Sequence, residues 1–385
     1  MNVPKLRFPG FGDELKSRRI GDFAVVKTGS RDTQNRVDGG KYPFFARSDT
    51  IERINSFAFD GEAILTSGDG VGVGKNIHYI NGKFDYHQRV YAIREFEAVV
   101  DGQFFFQFFR ENFLRRVMRL SAKNSVDSVR MSMITDMIVA TPSLAEQKKI
   151  AAFFLGGVDA KIAALRAREA GLERYKRGLM QALFSQTLRF TKPDGTAFPD
   201  WESTTFSDFA GLSKDRLNPV TSSEKPPLIE LENLESGVGS IIGLSGLEGQ
   251  LSQKNRFRFG DVLFGKLRPY LRKFARPNFD GVCSSEIWVL RGKTVSNAFL
   301  FYLIQGSQFN QLANISAGSK MPRSDWKTIA DSEFEIPHPD EQQKIADARS
   351  AMDAKSAAVS DQVAQMEAFK KGLLQQMFVQ GVNHG

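Results

Sequence analysis

A glycine-rich loop at residues 67–75 carries the most suggestive chemical pattern in the sequence. Loops that cradle nucleotide phosphates combine Gly, four further residues, Gly-Lys and then Ser or Thr, whose hydroxyl binds Mg²⁺. Here Asp69 stands where the first glycine belongs, and Asn76 replaces the hydroxyl residue. The pattern therefore favours a surface loop over nucleotide catalysis. A loop that lies along nucleic-acid phosphates, with Lys75 as a contact, stays open because bare backbone N–H groups suit anions.

Other catalytic or metal-binding arrangements are weak. Nuclease-like acid-x-lysine triplets fall only on long helical segments, where charged helix faces produce them by default: Glu146/Lys148, Asp159/Lys161 and Asp353/Lys355. The four histidines are scattered at His78, His87, His338 and His384, without metal-ligand spacing. The lone Cys283 rules out an intrachain disulfide and fits a reducing cytoplasm. We therefore expect no metal site and no catalytic centre in this chain.

A basic stretch interleaved with aromatic residues runs from 254 to 276. Eight cations face the single acid Asp261, and they are Lys254, Arg256, Arg258, Lys266, Arg268, Arg272, Lys273 and Arg276. Alternation at residues 256–259 predicts a strand with one basic face. Lysine and arginine could neutralise phosphates, and arginine also reads guanine edges. An ordinary solvated charged face is an equally good interpretation of this stretch alone. The net charge of +8 permits a polyanionic partner without requiring one.

Two similar long helical segments frame these candidates. Residues 142–151 contain Glu-Gln-Lys-Lys-Ile-Ala, and residues 337–346 contain Glu-Gln-Gln-Lys-Ile-Ala. Apolar residues then recur at every seventh position: Val158, Leu165, Leu172 and Leu179 in the first copy, and Ile345, Met352, Val359, Met366 and Leu373 in the second. Such heptads predict coiled-coil helices of roughly 40 residues, about 60 Å long. Separate amphipathic helices are the less favoured alternative.

The segments between the helices also repeat their order of features. We predict an α/β (α+β) fold with a globular unit at 1–141, a helix at 142–187, a second unit at 188–336, a helix at 337–380 and a short tail at 381–385. The helices are closely alike, whereas the globular units share an order of features but few residues. A chain of this kind would use one duplicated framework to recognise two different targets. No stretch approaches the ~20 apolar residues of a membrane span.

These motifs resemble the DNA-specificity subunit of type I restriction-modification enzymes over nearly the whole chain. The resemblance rests on the two Pro-x-x-x-Glu-Gln helix starts, the Lys-Arg/Lys-Gly-Leu helix ends at 176–179 and 370–373, the opening residues 4–11 and residues 260–270. It implies that each globular unit is a target recognition domain for one half of a split DNA sequence. It also implies that the two helices pair antiparallel as a spacer, and that the chain is not itself catalytic.

The resemblance also implies partners and site residues. Two modification subunits would dock on the helices and carry the S-adenosylmethionine site, and restriction subunits would use ATP and Mg²⁺. Our candidates for DNA contact are Lys75, Lys123, Asn124, Ser125, Lys266, Arg268, Tyr270, Arg272, Lys273, Ser319, Lys320 and Arg323. Our candidates for partner docking are Glu146, Gln147, Ile150, Glu341, Gln342 and Ile345.

Three alternatives remain open from the sequence. One is a specificity subunit of a two-subunit system whose partner fuses methylation and cleavage. The others are a stand-alone nuclease or NTPase, which would act without partners, and a coiled-coil scaffold, which would not bind DNA.

Overall fold

The computed structural model describes residues 4–120, 128–315 and 321–378. Two compact units share the chain: unit 1 combines Met1–Ala167 with Ser360–Gly385, and unit 2 comprises Arg168–Val359. Each unit therefore joins one globular part to segments of both long helices. Among the described residues, no helix is both long and apolar enough to cross a membrane.

Unit 1 is built on a six-stranded sheet with the order β2-β7-β5-β6-β3-β4, in which only β3 and β6 run parallel. Its elements, with α5 continuing into unit 2, are β1 (Lys16–Arg19), α1 (Ile20–Phe23), β2 (Val25–Thr28), β3 (Tyr42–Phe45), β4 (Glu52–Ile54), β5 (Phe59–Ser67), β6 (Ile77–Tyr86), β7 (Val90–Arg94), α2 (Gly102–Leu120), α3 (Met131–Thr135), β8 (Ile138–Thr141), α4 (Leu144–Ala152), a π-helix (Phe153–Asp159) and α5 (Ala160–Phe184).

Helix α2 supplies the core of unit 1. Phe104, Phe105, Phe108, Phe109 and Phe113 are at most 1% exposed and extend around much of the helix, so α2 is buried on several sides. They pack in one cluster with strand residues and with the end of the second long helix. The dense run of phenylalanines in α2 therefore forms part of the hydrophobic core of unit 1.

Unit 2 has two four-stranded sheets, with the orders β10-β17-β14-β15 and β11-β13-β16-β12. Its elements are β9 (Glu202–Thr205), α6 (Phe206–Phe209), β10 (Ala210–Leu212), β11 (Arg216–Leu217), β12 (Leu228–Ile229), β13 (Lys254–Phe257), β14 (Val262–Gly265), β15 (Phe274–Ala275), β16 (Gly281–Cys283), β17 (Ile287–Gly292), α7 (Asn297–Leu303), α8 (Ser307–Ala313), α9 (Trp326–Ala330), β18 (Glu333–Ile336) and α10 (Pro339–Met377), whose last part belongs to unit 1.

The internal repeat is visible in three dimensions. Strand β1 pairs antiparallel with β8 just before the first long helix, and β9 pairs with β18 in the same way before α10. The N–H of Ile20 donates to the carbonyl of Met137 (3.0 Å), as the N–H of Phe206 does to that of Ser332 (2.9 Å). One difference is that α7 and α8, separated at Gly306, stand in unit 2 where unit 1 has the single helix α2.

The long helices pair antiparallel within each unit, as the resemblance implies. In unit 2, Ser356 donates to Glu173 (2.6 Å) and Lys176 pairs with Asp353 (3.2 Å), so numbers rise on one helix as they fall on the other. In unit 1, Asp159 binds the ammonium of Lys370. All described positions of the predicted heptads are buried or half-buried: Val158, Leu165, Leu172, Leu179, Ile345, Met352, Val359, Met366 and Leu373.

The first helix differs from the second by one extra residue. Asp159 follows Glu146 by thirteen positions, whereas Asp353 follows Glu341 by twelve. The π-helix Phe153–Asp159 lies within this interval, and α10 is regular throughout the equivalent stretch. A π segment accommodates one additional residue in a helix without changing the phase on either side. The insertion is therefore absorbed locally, and the seam after Asp159 matches that after Asp353.

Candidate nucleic-acid interface

In unit 2, the loop that follows β14 is hydrogen-bonded to residues 322–324, which include the predicted DNA contact Arg323. The N–H of Arg268 donates to the carbonyl of Pro322 (2.8 Å), and the N–H of Ser324 donates to the carbonyl of Lys266 (2.9 Å). These two bonds hold residues 266–268 alongside residues 322–324. The structure thus brings together Lys266, Arg268 and Arg323, which are far apart in sequence.

The middle of this loop has an unusual backbone. A short 3-10 helix, Pro269–Leu271, is flanked by Arg268 and Arg272, both in the left-handed region at φ values of 51° and 50°. Non-glycine residues adopt that region infrequently, and such conformations cluster at functional sites. The side chains of Arg268, Tyr270 and Arg272 all face solvent, and Tyr270 is 58% exposed. The loop therefore presents two arginines and an aromatic ring outward.

The predicted cations of this loop differ in the hydrogen bonds that they make within the chain. The ammonium of Lys273 is half-buried and donates to the carbonyl of Leu231 (2.6 Å), so it braces the loop from within. Arg272 donates to the carbonyl of Gln305 (3.1 Å). By contrast, the guanidinium of Arg268 has neither hydrogen bond nor ion pair to any described residue. Lys266 has no side-chain partner among the described residues either, but it is half-buried, so the exposed Arg268 is the cation of this loop most available to an external anion or base.

A carboxylate holds Arg323 in place beside this loop. Glu286 accepts from its Nε (3.0 Å) and Nη2 (3.4 Å), and this bonding raises the pKa of the guanidinium. Half of the Arg323 side chain remains exposed. A planar guanidinium oriented through one edge can still donate from the remaining Nη1 group.

The predicted basic strand at 256–259 is only partly correct. Strand β13 ends at Phe257, which is 2% exposed, and Phe259 lies beyond it at 68% exposure. Arg256 is bound by Glu224 (2.8 and 3.0 Å), whereas Lys254 is buried and donates to Glu230 (3.2 Å). Intrachain carboxylates neutralise these two cations, so the basic face does not extend along the strand.

In unit 1, the glycine-rich loop follows β5, in the position that the basic loop has after β14. Val71 at its tip is 96% exposed, and the predicted contact Lys75 is exposed at its end. Gly74 has a φ of 69°, and a Cβ there would lie 2.9 Å from the Cα of Leu114 on α2. Packing against the helix therefore requires glycine, which accounts for part of the glycine pattern without any nucleotide.

An arginine cluster that we did not predict from the sequence lies beside this loop. Asp69 accepts from Nη1 of Arg47 (3.2 Å) and lies 3.8 Å from Nε of Arg89. The side chains of Arg47 and Arg89 are 50% and 66% exposed. The three residues come from different parts of the chain with no shared motif. The one available signal was Asp69 itself, an acid in the middle of a loop aligned with a basic one.

Five predicted DNA contacts lie outside the described residues: Lys123, Asn124, Ser125, Ser319 and Lys320. The residues that follow the two gaps occupy comparable places. Ser128 forms a bridge with Asp69 in unit 1, and Arg323 forms one with Leu267 in unit 2. In both units the chain after the gap thus lies against the loop that leaves the central strand.

The repeated helix starts bind the opening segments of their own units. In unit 1, Nε of Arg7 donates to Glu146 (3.0 Å), and this hydrogen bond is the main reason that the pKa of Arg7 is raised. In unit 2, Arg189 donates to Glu341 (3.2 and 2.9 Å), and Trp201 adds a third bond (3.2 Å). The repeated Leu-Arg-Phe segments, 6–8 and 188–190, are thereby fastened to the two helices.

The residues that we predicted for partner docking make their contacts inside each unit. The amide of Gln147 donates to the carbonyl of Pro142 (2.9 Å), and Gln342 donates to that of Pro337 at the same distance. All six proposed docking side chains are at most 3% exposed, namely Glu146, Gln147, Ile150, Glu341, Gln342 and Ile345. Because their polar groups and apolar surfaces are occupied within each unit, they shape the helix starts rather than present a surface.

The duplication agrees with a known domain. A family model for the type I restriction modification DNA specificity domain matches residues 12–174 and again residues 200–367. The chain belongs to this family. Among curated relatives, the type I restriction enzyme EcoDI specificity subunit of Escherichia coli is 26% identical over 356 residues, which are 85% of this chain and 78% of the relative.

Solved structures agree with the fold. A crystal structure of the type I restriction-modification S subunit from M. genitalium aligns over all of both chains with a TM-score of 0.63 and 14% identity. A chain from a structural study of type I complex assembly and conformational transition has a TM-score of 0.58 and 13% identity, covering 96% of this chain and 98% of that one. The type I specificity subunit described here thus has two target recognition domains, as the sequence resemblance indicated.

Proposed function

We propose that this specificity subunit reads a split DNA sequence, one part with each unit. In each unit the reading surface would combine the loop after β5 or β14 with the segment that lies against that loop, which includes Ser128 in unit 1 and Arg323 in unit 2. Support comes from unit 2, where backbone hydrogen bonds join these two segments. The guanidinium of Arg268 is exposed there and has no partner among the described residues. Phosphate contacts would set the register on DNA, and base-edge contacts would give the sequence preference.

The paired helices would set the distance between the two parts of the target. Two modification subunits would dock on them and supply S-adenosylmethionine-dependent adenine methylation, and restriction subunits would supply ATP- and Mg²⁺-dependent cleavage in the cytoplasm. Because the predicted docking residues are buried, we place docking on exposed positions of the same helix starts, such as Lys148 and Gln343. The chain itself would contribute recognition and no catalytic group.

Replacement of Arg268 tests the proposed reading surface. Arg268→Ala should relax the unit 2 half of the target by about 1–3 kcal/mol for the base pair it reads, and it should leave the unit 1 half unchanged. Arg268→Lys separates the two roles, since a phosphate contact survives that change whereas bidentate base reading does not. The measurement is a map of methylated adenines made by the assembled modification complex.

Arg276→Ala is the matched control, because it removes another exposed arginine of unit 2 from beyond β15. We expect it to lower affinity slightly at low salt and to leave the methylated sequence intact. A methylation map for Arg268→Ala identical to that for Arg276→Ala would contradict the assignment of Arg268 as a base reader.

A further inference from the structure

The arginine cluster of unit 1 has the geometry of a base-reading site, although it contains none of our sequence-based candidates. It consists of Arg47, which follows β3, Asp69, which follows β5, and Arg89, which precedes β7. The carboxylate of Asp69 lies between the two guanidinium groups, 3.2 Å from one and 3.8 Å from the other. A charge pair of this kind on an ordinary surface contributes little to stability.

The backbone beneath the cluster is closely packed. The carbonyl of Arg89 accepts from Gly68 (2.7 Å), and its N–H donates to the ring of the buried His87 (2.9 Å). The carbonyl of Arg47 accepts from the side chain of Asn76 (3.0 Å). A Cβ at Gly68 would come within 2.8 Å of the Arg89 carbonyl oxygen. The backbone at Arg47 and Arg89 is therefore held in place, which reduces the conformational entropy that is lost when their side chains bind a ligand.

The donors that remain are suited to guanine. Arg47 uses only Nη1 for Asp69, and Arg89 approaches Asp69 with Nε, so each retains N–H groups with no partner among the described residues. Two parallel N–H donors from one arginine match the O6 and N7 acceptors that guanine presents in the major groove. Asp69 would restrict the rotation of both groups without occupying their outer donors. In unit 2, Glu286 and Arg323 form a similar pair beside the equivalent loop.

We propose that Arg47 and Arg89 each read a guanine in the unit 1 half of the DNA target, with Asp69 as the positioning residue. This inference rests on the proposed function and deepens it. It states that the half-sequence read by unit 1 contains at least two G·C pairs. It also assigns the specificity of unit 1 to side chains around the glycine-rich loop rather than to Lys75.

The test uses charge-preserving variants in the assembled modification complex. Arg47→Lys and Arg89→Lys retain the charge for phosphates but lose the bidentate fork, so each should reduce the preference for one G·C pair about 5- to 150-fold. Asp69→Asn should weaken the preference at the same pairs, with an unchanged salt dependence of overall binding. A randomised target library, sequenced for methylated adenine, measures all of these preferences together.

Arg36→Lys is the matched control, because Arg36 is an equally exposed arginine of unit 1 (51%) that also pairs with a carboxylate, Glu52. It should leave both halves of the methylated sequence unchanged. Thermal unfolding of each variant confirms that it is folded. If the Arg47 and Arg89 variants retain the full unit 1 preference, as the control does, the inference is overturned while the proposed function stands. If the unaltered complex methylates no split sequence, the proposed function fails and the inference fails with it.

Discussion

Deletion of Gly157 should be tolerated, because the π-helix already contains one residue more than the equivalent part of α10. Removing a residue from a regular helix rotates everything beyond it by about 100° and shortens the helix by about 1.5 Å. Within the π segment, the deletion should instead convert Phe153–Asp159 into regular helix. The Glu146–Arg7 pair before the segment and the Asp159–Lys370 pair after it should both survive.

The expected effect on stability follows from the glycine itself. A Cβ at Gly157 would meet no atom within 4 Å, so the residue has no packing role in unit 1. Glycine costs about 1 kcal/mol in a helix relative to alanine. A gain of at most about 1 kcal/mol corresponds to a rise in Tm of about 2–4 °C for a unit of this size.

A deletion of Ala164 provides the control, since it lies in the regular part of α5 and is exposed. It should rotate Leu165, which is 5% exposed, away from the seam that it shares with Val158. Loss of that burial should cost at least about 2 kcal/mol. Calorimetry or urea unfolding of both variants measures the difference. Equal destabilisation by the two deletions would refute the view that the π segment absorbs the extra residue.

Two further predictions concern buried titratable groups of unit 1. Asp159→Ala should cost about 3 kcal/mol, because it leaves the ammonium of Lys370 unpaired on a side chain that is 8% exposed, where burial already lowers its pKa. Lys370→Met should cost less, since the remaining carboxylate is 27% exposed, and equal costs in urea unfolding would contradict this reasoning. Burial, followed by the charge of Arg47, lowers the pKa of His87 from its usual 6.5. The unfolded chain therefore binds more protons, so stability should fall as pH drops below about 6.5. His87→Gln should flatten that decline, and an unaltered pH profile would exclude His87 as its source.

The repeat and the helical seam could be predicted from sequence because both depend on local, periodic information. A heptad needs only the identity of every seventh residue, and the described heptad positions face inward as expected. The basic stretch at 254–276 was also visible in the sequence, because its cations are close together in the chain. Duplication added a second copy of each signal, which fixed the order of elements and indicated the family.

Tertiary structure decided what the most distinctive motif does. Glu146 and Glu341 look like exposed helix-start acids, but their partners Arg7 and Arg189 lie 139 and 152 residues away in sequence. No local pattern connects such positions, because the whole globular part of each unit lies between them in the sequence. These two glutamates are therefore buried hydrogen-bond acceptors that hold the opening segments.

The same limit applies to the candidate interface. The sequence indicated Lys266 and Arg268 by charge and Arg323 by its place in the repeat. Only the fold showed that Arg268 has no partner among the described residues, whereas Lys273 is hydrogen-bonded. The sequence could not reveal the cluster of Asp69, Arg47 and Arg89, because these residues lie at the ends of different strands. Periodicity and composition determined the frame of this protein. The pairing of distant charges, which depends on where strands end in space, determined which charged side chains are bound within each unit.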